Sequence, residues 1–153
     1  HDAELLAPPK SGRYLPFSQY PLRDHAVLAY HAAQKLHPEL SMREGIRRLH
    51  RGNIQAFART TVGKVITALA GDIKSGFAHL EEAYRLSRTS GVVRVQTIEE
   101  RAIEVRFEHA NPWLDCADLG SLEGMGTFFG KSLRTEVSLD AENDASFVCR
   151  WRD

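Results

Sequence analysis

The chain of 153 residues carries 20 basic and 20 acidic residues, and 42% of its residues are hydrophobic. This composition is typical of one compact domain, and its neutral charge balance argues against nucleic acid as a partner. No apolar run approaches the roughly 18 residues of a membrane-spanning helix, and the first residues lack the layout of a secretory signal. We therefore expect a cytoplasmic protein with one domain over residues 21–153, preceded by an extended, proline-containing arm over residues 1–20.

The charges are unevenly distributed along the chain. Residues 1–98 hold 14 Lys and Arg against 8 Asp and Glu, a net charge of +6, whereas residues 99–153 hold 6 against 12, a net charge of −6. Such asymmetry either steers partners and favours head-to-tail association, or it is surface charge that folding mixes.

Apolar residues at helical spacing predict two helices at the start of the domain. The first begins at Leu22 and ends at His37–Pro38, where proline stops the pattern. The second begins after Ser41, which forms a capping box with Glu44, and ends near Thr60. Both helices are expected to present one apolar face to the core.

Two further helices are predicted before the sheet. The third buries Val62, Val65, Ile66 and Leu69 and ends at Gly71. Asp72 then caps a fourth helix that continues to Gly91, with an inner face formed by Ile73, Phe77, Leu80 and Tyr84.

From residue 93 onward the period changes from helix to strand. Val93–Thr97 and Ile103–Phe107 alternate as a hairpin, and Leu133–Leu139 and Ala145–Trp151 alternate as a second one. A glycine-rich helix lies between them, after a polar connection over residues 111–118. The sequence therefore predicts an α+β fold, in which N-terminal helices pack on a C-terminal four-stranded antiparallel sheet of strand-strand-helix-strand-strand order.

Glycine is unusually frequent in the helix between the two hairpins. Gly120, Gly124, Gly126 and Gly130 recur there, although glycine in a helix interior costs about 0.5 to 1 kcal/mol relative to alanine. We interpret them as close-packing glycines, where this helix meets the sheet or a twin helix of a second subunit.

Familiar catalytic and cofactor patterns do not fit the chain. Gly71 and Gly76 have the spacing of a Walker A loop, but Phe77–Ala78 stands where that loop needs its Lys and Ser/Thr. The histidines show no zinc-binding spacing, and the two cysteines, Cys116 and Cys149, are expected to be partly buried thiols. We therefore expect no catalytic residue, no metal site and no cofactor.

One haem motif comes close to a match. A gas-sensing haem domain also joins helices to an antiparallel sheet, and its propionate-binding motif is Tyr-x-Ser-x-Arg. Residues 84–88 read Tyr-Arg-Leu-Ser-Arg, which places the same residue types at the wrong spacing. The sequence therefore argues against such a domain.

A basic stripe follows the second predicted helix. Arg43, Arg47 and Arg51 recur every four residues, with Arg48 beside them. Such a stripe neutralises phosphates in nucleic-acid-binding proteins, but no aromatic residues interleave it here. The alternative is that these interaction candidates pair with acidic residues of the C-terminal half, within one molecule or across a dimer.

Several segments of the chain resemble a known family. They are similar to a family with many paralogues in myxobacteria, and they are Tyr20–Asp24, Ala32–Ala33, Arg43–Leu49, Phe57–Lys64, Tyr84–Arg85, Asn111–Trp113, the helix containing Glu123–Gly124, and Phe147–Trp151. That family is catalogued as domain of unknown function number 2378, and it brings no activity or cofactor. The resemblance implies a bacterial protein from a lineage rich in signalling paralogues.

The predicted order of elements also looks like the four-vinyl-reductase and TRAPP transport-subunit fold, whose members are commonly dimers. We favour a non-enzymatic binding or sensory module that acts through a protein partner or a homodimer interface. The alternative is a sensor of an apolar small molecule, held between the glycine-rich helix and the sheet by Met125, Phe128, Phe129 and Trp151. An enzyme whose site is not recognisable from the sequence is the third interpretation.

Overall fold

The computed structural model describes residues 21–87, 90–110, 113–141 and 143–153, and the arm expected over residues 1–20 lies outside them. The described helices and strands are α1 (Leu22–Leu36), α2 (Met42–Ala58), α3 (Thr61–Leu69), α4 (Ile73–Ala78), α5 (Leu80–Ser87), β1 (Val92–Glu99), β2 (Ala102–Glu108), α6 (Leu119–Phe128), β3 (Ser132–Ala141) and β4 (Asp144–Arg152). This order confirms the predicted α+β fold. None of the described helices is long and apolar enough to cross a membrane.

The four strands form one antiparallel sheet in the order β1-β2-β4-β3. Val105 of β2 lies opposite Val95 of β1 on one side and Phe147 of β4 on the other. Because side chains alternate along a strand, these residues share one face, which points toward the helices. Charged residues occupy most of the opposite face, here called the outer face of the sheet.

Aromatic rings fill the space between the helices and the sheet. Phe77 of α4 and Phe147 of β4 are fully buried. Phe107 lies edge-on to both Tyr84 and Phe147, with centroid distances of 5.8 and 5.4 Å, and Phe77 stacks on Trp151 at 6.3 Å. Burial of one such side chain contributes about 1.5 to 3 kcal/mol, so this cluster is the main core of the protein.

A smaller apolar cluster lies between α1, α2 and the segment that precedes α6. It joins Ala33, Ile46, Cys116 and Ala117, each of which is buried. The two helices approach closely because Gly45 of α2 lies against Ala33, where an added Cβ would be 3.3 Å from the Ala33 Cβ. Helix α2 therefore lies between α1 and α6.

Two of the helix predictions are wrong in part. Val65 and Leu69 of α3 were expected to be buried, but they are 58% and 68% exposed. Helical spacing identifies an apolar face, yet it does not show whether another element covers that face. The side chains of Val62 and Ile66 lie outside the described part of the structure.

The fourth predicted helix is two helices that meet at His79. The reason is tertiary, because the two parts pack on different neighbours. Gly76 of α4 lies against Phe129 beside α6, whereas Glu81 of α5 accepts a hydrogen bond of 2.6 Å from the Val95 amide of β1. The inner-face residues Ile73, Phe77 and Tyr84 are buried as predicted.

The prediction of a polar connection before the glycine-rich helix is also wrong. Residues Leu114–Asp118 form a π-helical turn that runs directly into α6, and the Leu119 amide donates to the Leu114 carbonyl five residues earlier. Leu114 and Cys116 of this turn are each 2% exposed, so the segment belongs to the protein interior. Residues 111 and 112 lie outside the described ranges.

Candidate functional site

The three glycines of α6 and Gly130, which follows its end, have three different kinds of surroundings. A Cβ added at Gly120 would lie less than 3.0 Å from the carbonyl oxygen of Arg47, and one added at Gly124 would lie 2.5 Å from that of Arg51. Both glycines therefore meet the backbone of α2. The sequence pattern instead predicted contact with the sheet or with a twin helix. Gly126 faces Leu133 of β3 at 2.8 Å, whereas Gly130 has open space around it and a φ of 66°, which favours glycine for its conformation.

The basic stripe of α2 binds acidic residues of the same molecule. Arg47 and Arg51 donate from Nε to Glu123 Oε2 of α6 at 3.0 and 3.2 Å, and Arg43 pairs with Asp115 of the π-helical turn. The fourth residue of the stripe, Arg48, is exposed. The basic N-terminal half is thus joined to the acidic C-terminal half within one chain, which leaves less of the stripe for phosphates.

Glu123 is the acceptor at the centre of this contact. Its side chain is 14% exposed, and although burial opposes its ionisation, the hydrogen bonds and charges of Arg47 and Arg51 lower its pKa below the ordinary value. The Glu123 hydrogen bond in turn raises the pKa of Arg47. The pair is therefore ionised, and it clamps α2 to α6 beside the two glycines.

The residues predicted to line an apolar pocket lie in or beside the main core. Met125 and Trp151 are each 7% exposed and belong to the core cluster. Phe129 packs against that cluster, with its Cε2 atom 2.6 Å from the position of an added Cβ at Gly76. Phe128 lies edge-on to Phe129 at 5.0 Å. The structure brings all four residues to one end of the sheet.

A groove of about 500 Å³ opens at this same end, on the outer face. We call it the arginine groove, because four of the residues that line it are arginines: Arg101, Arg134, Arg150 and Arg152. Arg134 of β3 lies directly opposite Arg150 of β4, and Ser132 lies opposite Arg152. Trp151 also lines the groove, while its ring stacks on Phe77 inside the core.

Acidic residues balance only part of the charge of the arginine groove. Glu136 pairs with Arg134 at 3.6 Å and with Arg150 at 3.3 Å. Asp153 pairs with Arg101 at 3.2 Å, and a hydrogen bond from Lys131, together with the charges of Arg101 and Lys131, lowers the pKa of Asp153. Arg152 forms no ion pair within the described residues. Glu99 also lines the groove, so three carboxylates stand against four arginines and Lys131, and the groove keeps an excess of positive charge.

None of the arginines of this groove was a candidate in the sequence. They lie at separate positions, 101, 134, 150 and 152, and only the strand order and register bring them together. The triplet Arg150-Trp151-Arg152 carried a signal, since two arginines flank an inward-facing aromatic residue in a strand. Its meaning depended on which strand lies beside it.

Two other cavities are smaller. One of about 250 Å³ includes His109, Asp140 and Asp144, and another of about 260 Å³ lies between α1 and α2 beside His37 and Met42. The rings of His25 and His50 also meet, 5.6 Å apart. Even so, the described residues contain no group of three or more His, Cys, Asp or Glu side chains placed to hold a metal ion.

The two cysteines do not meet. Cys116 lies in the small cluster between the helices, whereas Cys149 lies in the main core beneath the sheet. Burial raises the pKa of Cys149 to about 11, and it also raises the pKa of Cys116. Thiols in this state are poor nucleophiles, in keeping with a packing role.

Comparisons with known proteins relate the sequence to a protein family and the fold to a group of solved structures. The profile of a family described as "Protein of unknown function (DUF2378)" matches residues 2–152. No protein in a search of curated sequences matches the chain. The family match agrees with the resemblance drawn from the sequence segments.

Solved structures of H-NOX proteins share the fold. An H-NOX protein from S. oneidensis in the Fe(II)NO ligation state has a TM-score of 0.73 and 14% identity, over 95% of this chain and 83% of that one. The H-NOX domain from Shewanella oneidensis in the Fe(II)CO state gives 0.74 and 13% over 95% and 83%, and a mutant of the H-NOX protein from T. Tengcongensis gives 0.67 and 15% over 91% and 78%. The expected likeness to the four-vinyl-reductase and TRAPP fold is therefore wrong.

Proposed function

The chain belongs to the family of unknown function DUF2378, and from its geometry we propose that it is a sensory module that binds a small molecule in the arginine groove. One observation carries this proposal: Trp151 lines the groove on one side and stacks on Phe77 of α4 on the other. A ligand that moves β4 at Trp151 also moves the indole ring that stacks on Phe77, so the movement reaches the helices. The likeness to H-NOX proteins, whose structures are described with NO or CO on Fe(II), supports a sensory role.

Haem, whose distortion has been probed in H-NOX proteins, does not fit the three cavities of this chain described above. A haem site needs an axial His, Cys, Met or Tyr beside a large apolar cavity. The arginine groove is large enough, but none of the residues that line it is of these types. The two smaller cavities contain such residues, His109 in one and His37 and Met42 in the other, but they fall below the roughly 300 Å³ of small-molecule sites. The Tyr-x-Ser-x-Arg motif is also absent from the sequence.

We therefore expect titration of the purified chain with haemin to give no saturable complex with a sharp Soret band. The H-NOX protein from S. oneidensis, treated in the same way, is the positive control. The physical reason is that aromatic rings fill the space between α4, α5 and the sheet. A stoichiometric complex whose spectrum is lost when one histidine is replaced would contradict this expectation.

A second candidate site is the apolar region between α6 and the sheet, where Met125 and Trp151 belong to the core cluster and Phe129 packs against it. Its support is the position of Phe129, which is only partly buried and covers Gly76 at the edge of the core. A rotation of this ring away from Gly76 would make room beside Met125, whose Cε atom lies 3.4 Å from the position of the same added Cβ. A ligand held there would be apolar, in contrast to one in the arginine groove.

The readout of such a module requires a protein partner or a second copy of the chain. Strand β3 is an edge of the sheet, and Val137 and Leu139 on its inner side are 38% and 59% exposed. Exposed apolar residues on an edge strand favour association with another protein. This surface supports the interpretation that the chain acts through a partner or a homodimer.

The proposed function is tested by native mass spectrometry of the gently purified protein, followed by fluorescence of a Trp113→Phe variant in which Trp151 is the remaining tryptophan. We expect a small-molecule adduct, and we expect its removal and return to change the emission of Trp151. The same spectra report the mass of the assembly. A protein without adduct, whose Trp151 emission no extract of small molecules changes, would contradict the proposal.

A further inference from the structure

We propose that the ligand of the arginine groove is a small phosphorylated molecule, an inference that rests on the proposed function because it assigns a chemical class to the same site. The groove measures about 500 Å³, which suits a molecule of metabolite size. The placement of the arginines, the type of anion that they fit and the residues beside them support this class.

Three of the arginines lie side by side on two hydrogen-bonded strands. Arg134 and Arg150 form a cross-strand pair, and Arg152 follows Arg150 on the same face. Like charges placed directly opposite each other destabilise a sheet, and here the single carboxylate of Glu136 is shared between the two arginines of the pair. Ala102, which lies opposite Arg150 on β2, is 1% exposed although it faces outward.

The fourth arginine reaches the groove from a different element. Arg101 lies in the turn between β1 and β2, and its side chain is 59% exposed. The guanidinium groups therefore border the groove from the turn as well as from two strands. A single anion bound between them would satisfy several charged donors at once.

A phosphate group suits this set of donors better than a carboxylate does. A carboxylate offers two oxygens, which one guanidinium occupies when it binds through both of its parallel N–H groups. A phosphate monoester offers three oxygens and a charge near −2, so it engages two or more guanidinium groups together. Four arginines around one groove therefore favour phosphate.

Two further residues of the groove limit the chemistry of the part of the ligand beyond its phosphate. Ser132 offers a hydroxyl beside Arg152, and Glu99 brings a carboxylate to the same groove. The carboxylate accepts hydrogen bonds from hydroxyl or amino groups and repels a second phosphate. The fitting ligand thus carries one phosphate and a hydroxylated or amino-bearing part.

Glu136 acts as an internal competitor for the phosphate. It holds Arg134 at 3.6 Å and Arg150 at 3.3 Å, and its side chain is 55% exposed. A phosphate that binds these two arginines displaces the Glu136 carboxylate from them. Removal of the Glu136 charge should therefore strengthen binding, an effect opposite to that of removing an arginine.

The test is isothermal titration of the full chain at low salt with glycerol 3-phosphate, with inorganic phosphate and glycerate as comparison probes. We expect saturable binding of one glycerol 3-phosphate, weakened at least about tenfold in Arg150→Gln and tightened roughly threefold in Glu136→Gln. Arg48→Gln, which removes an exposed arginine of α2, is the matched control and should leave the affinity unchanged. Binding should also weaken as salt concentration rises.

Each failure has a distinct meaning. No saturable binding of either phosphate probe, an affinity that Arg150→Gln leaves unchanged, or equal binding of glycerate would overturn the phosphate assignment. If a neutral adduct still changes Trp151 emission, the proposed function survives that loss. If glycerol 3-phosphate binds through Arg150 without any change in Trp151 emission, the phosphate site stands and the sensory role fails. Melting temperatures of the variants within about 2 °C of the wild type confirm that they are folded.

Discussion

Replacement of Gly120 by alanine is expected to lower the free energy of unfolding by about 2 to 3 kcal/mol, because the new methyl group overlaps the backbone carbonyl of Arg47. A backbone atom cannot rotate aside as the end of a side chain can, so α6 must move away from α2. For a domain of this size the melting temperature should fall by roughly 5 to 10 °C. Thermal unfolding followed by circular dichroism measures the change.

Gly52→Ala is the matched control for this substitution. Gly52 lies within α2, the other helix of the same contact, but nothing lies within 4 Å of the position of its added Cβ. In that setting alanine should stabilise the helix by about 0.5 to 1 kcal/mol. Equal effects of the two substitutions would show that helix propensity, and not the approach of α6 to α2, sets the requirement for glycine.

Glu123→Gln is expected to destabilise the protein by about 1 to 2 kcal/mol, since it removes the charge that Arg47 and Arg51 share. The effect should depend on pH. The pKa of Glu123 is lowered in the folded protein from an ordinary value of 4.5, so its stabilisation is present above that value and is lost as the pH falls through the folded pKa. Urea unfolding at pH 7 and at acidic pH measures both the loss of stability and its dependence on pH.

At pH 7 the variant should be less stable than the wild type, and the difference should shrink as the pH falls below the ordinary pKa of Glu123. Glu82→Gln is the control, because Glu82 accepts a hydrogen bond of 2.9 Å from Arg85 on the exposed surface of α5. Such a solvent-screened surface pair contributes little to stability, so Glu82→Gln should unfold like the wild type at both pH values. A difference between Glu123→Gln and the wild type that stays constant down to pH 2 would show that lost packing, and not lost charge, is responsible.

The sequence was sufficient for the order of the elements because the periods of its apolar residues are local. Leu22 to His37 and Val93 to Phe107 needed no knowledge of the rest of the chain. The break at His79 could not be predicted in this way, because it follows from the separate contacts of α4 with Phe129 and of α5 with β1. No residue type at positions 78–80 interrupts a helix by itself.

The candidate site was harder to predict than the order of the elements, because it depends on contacts between residues that are distant in the sequence. Pairing of the α2 arginines with unspecified acidic residues of the C-terminal half was predicted as one of two alternatives, but the identity of the partner, Glu123, was not. The arginine groove was not, because Arg134 and Arg150 meet only through the register of β3 and β4. The absence of the haem motif was read as the absence of the fold, whereas a motif reports on a bound group and the fold persists without it.

The π-helical turn fixes the rotational phase of α6. A π-helix closes its hydrogen bonds over five residues, so it takes up one residue more than an α-helical turn, and each residue of an α-helix accounts for a rotation of about 100°. The turn thus lets Asp115 meet α2 while Gly120 and Gly124, farther along, meet the same helix. An added or deleted residue between Trp113 and Gly120 would turn Gly120 and Gly124 away from α2. The number of residues in this segment is therefore constrained more strongly than their types.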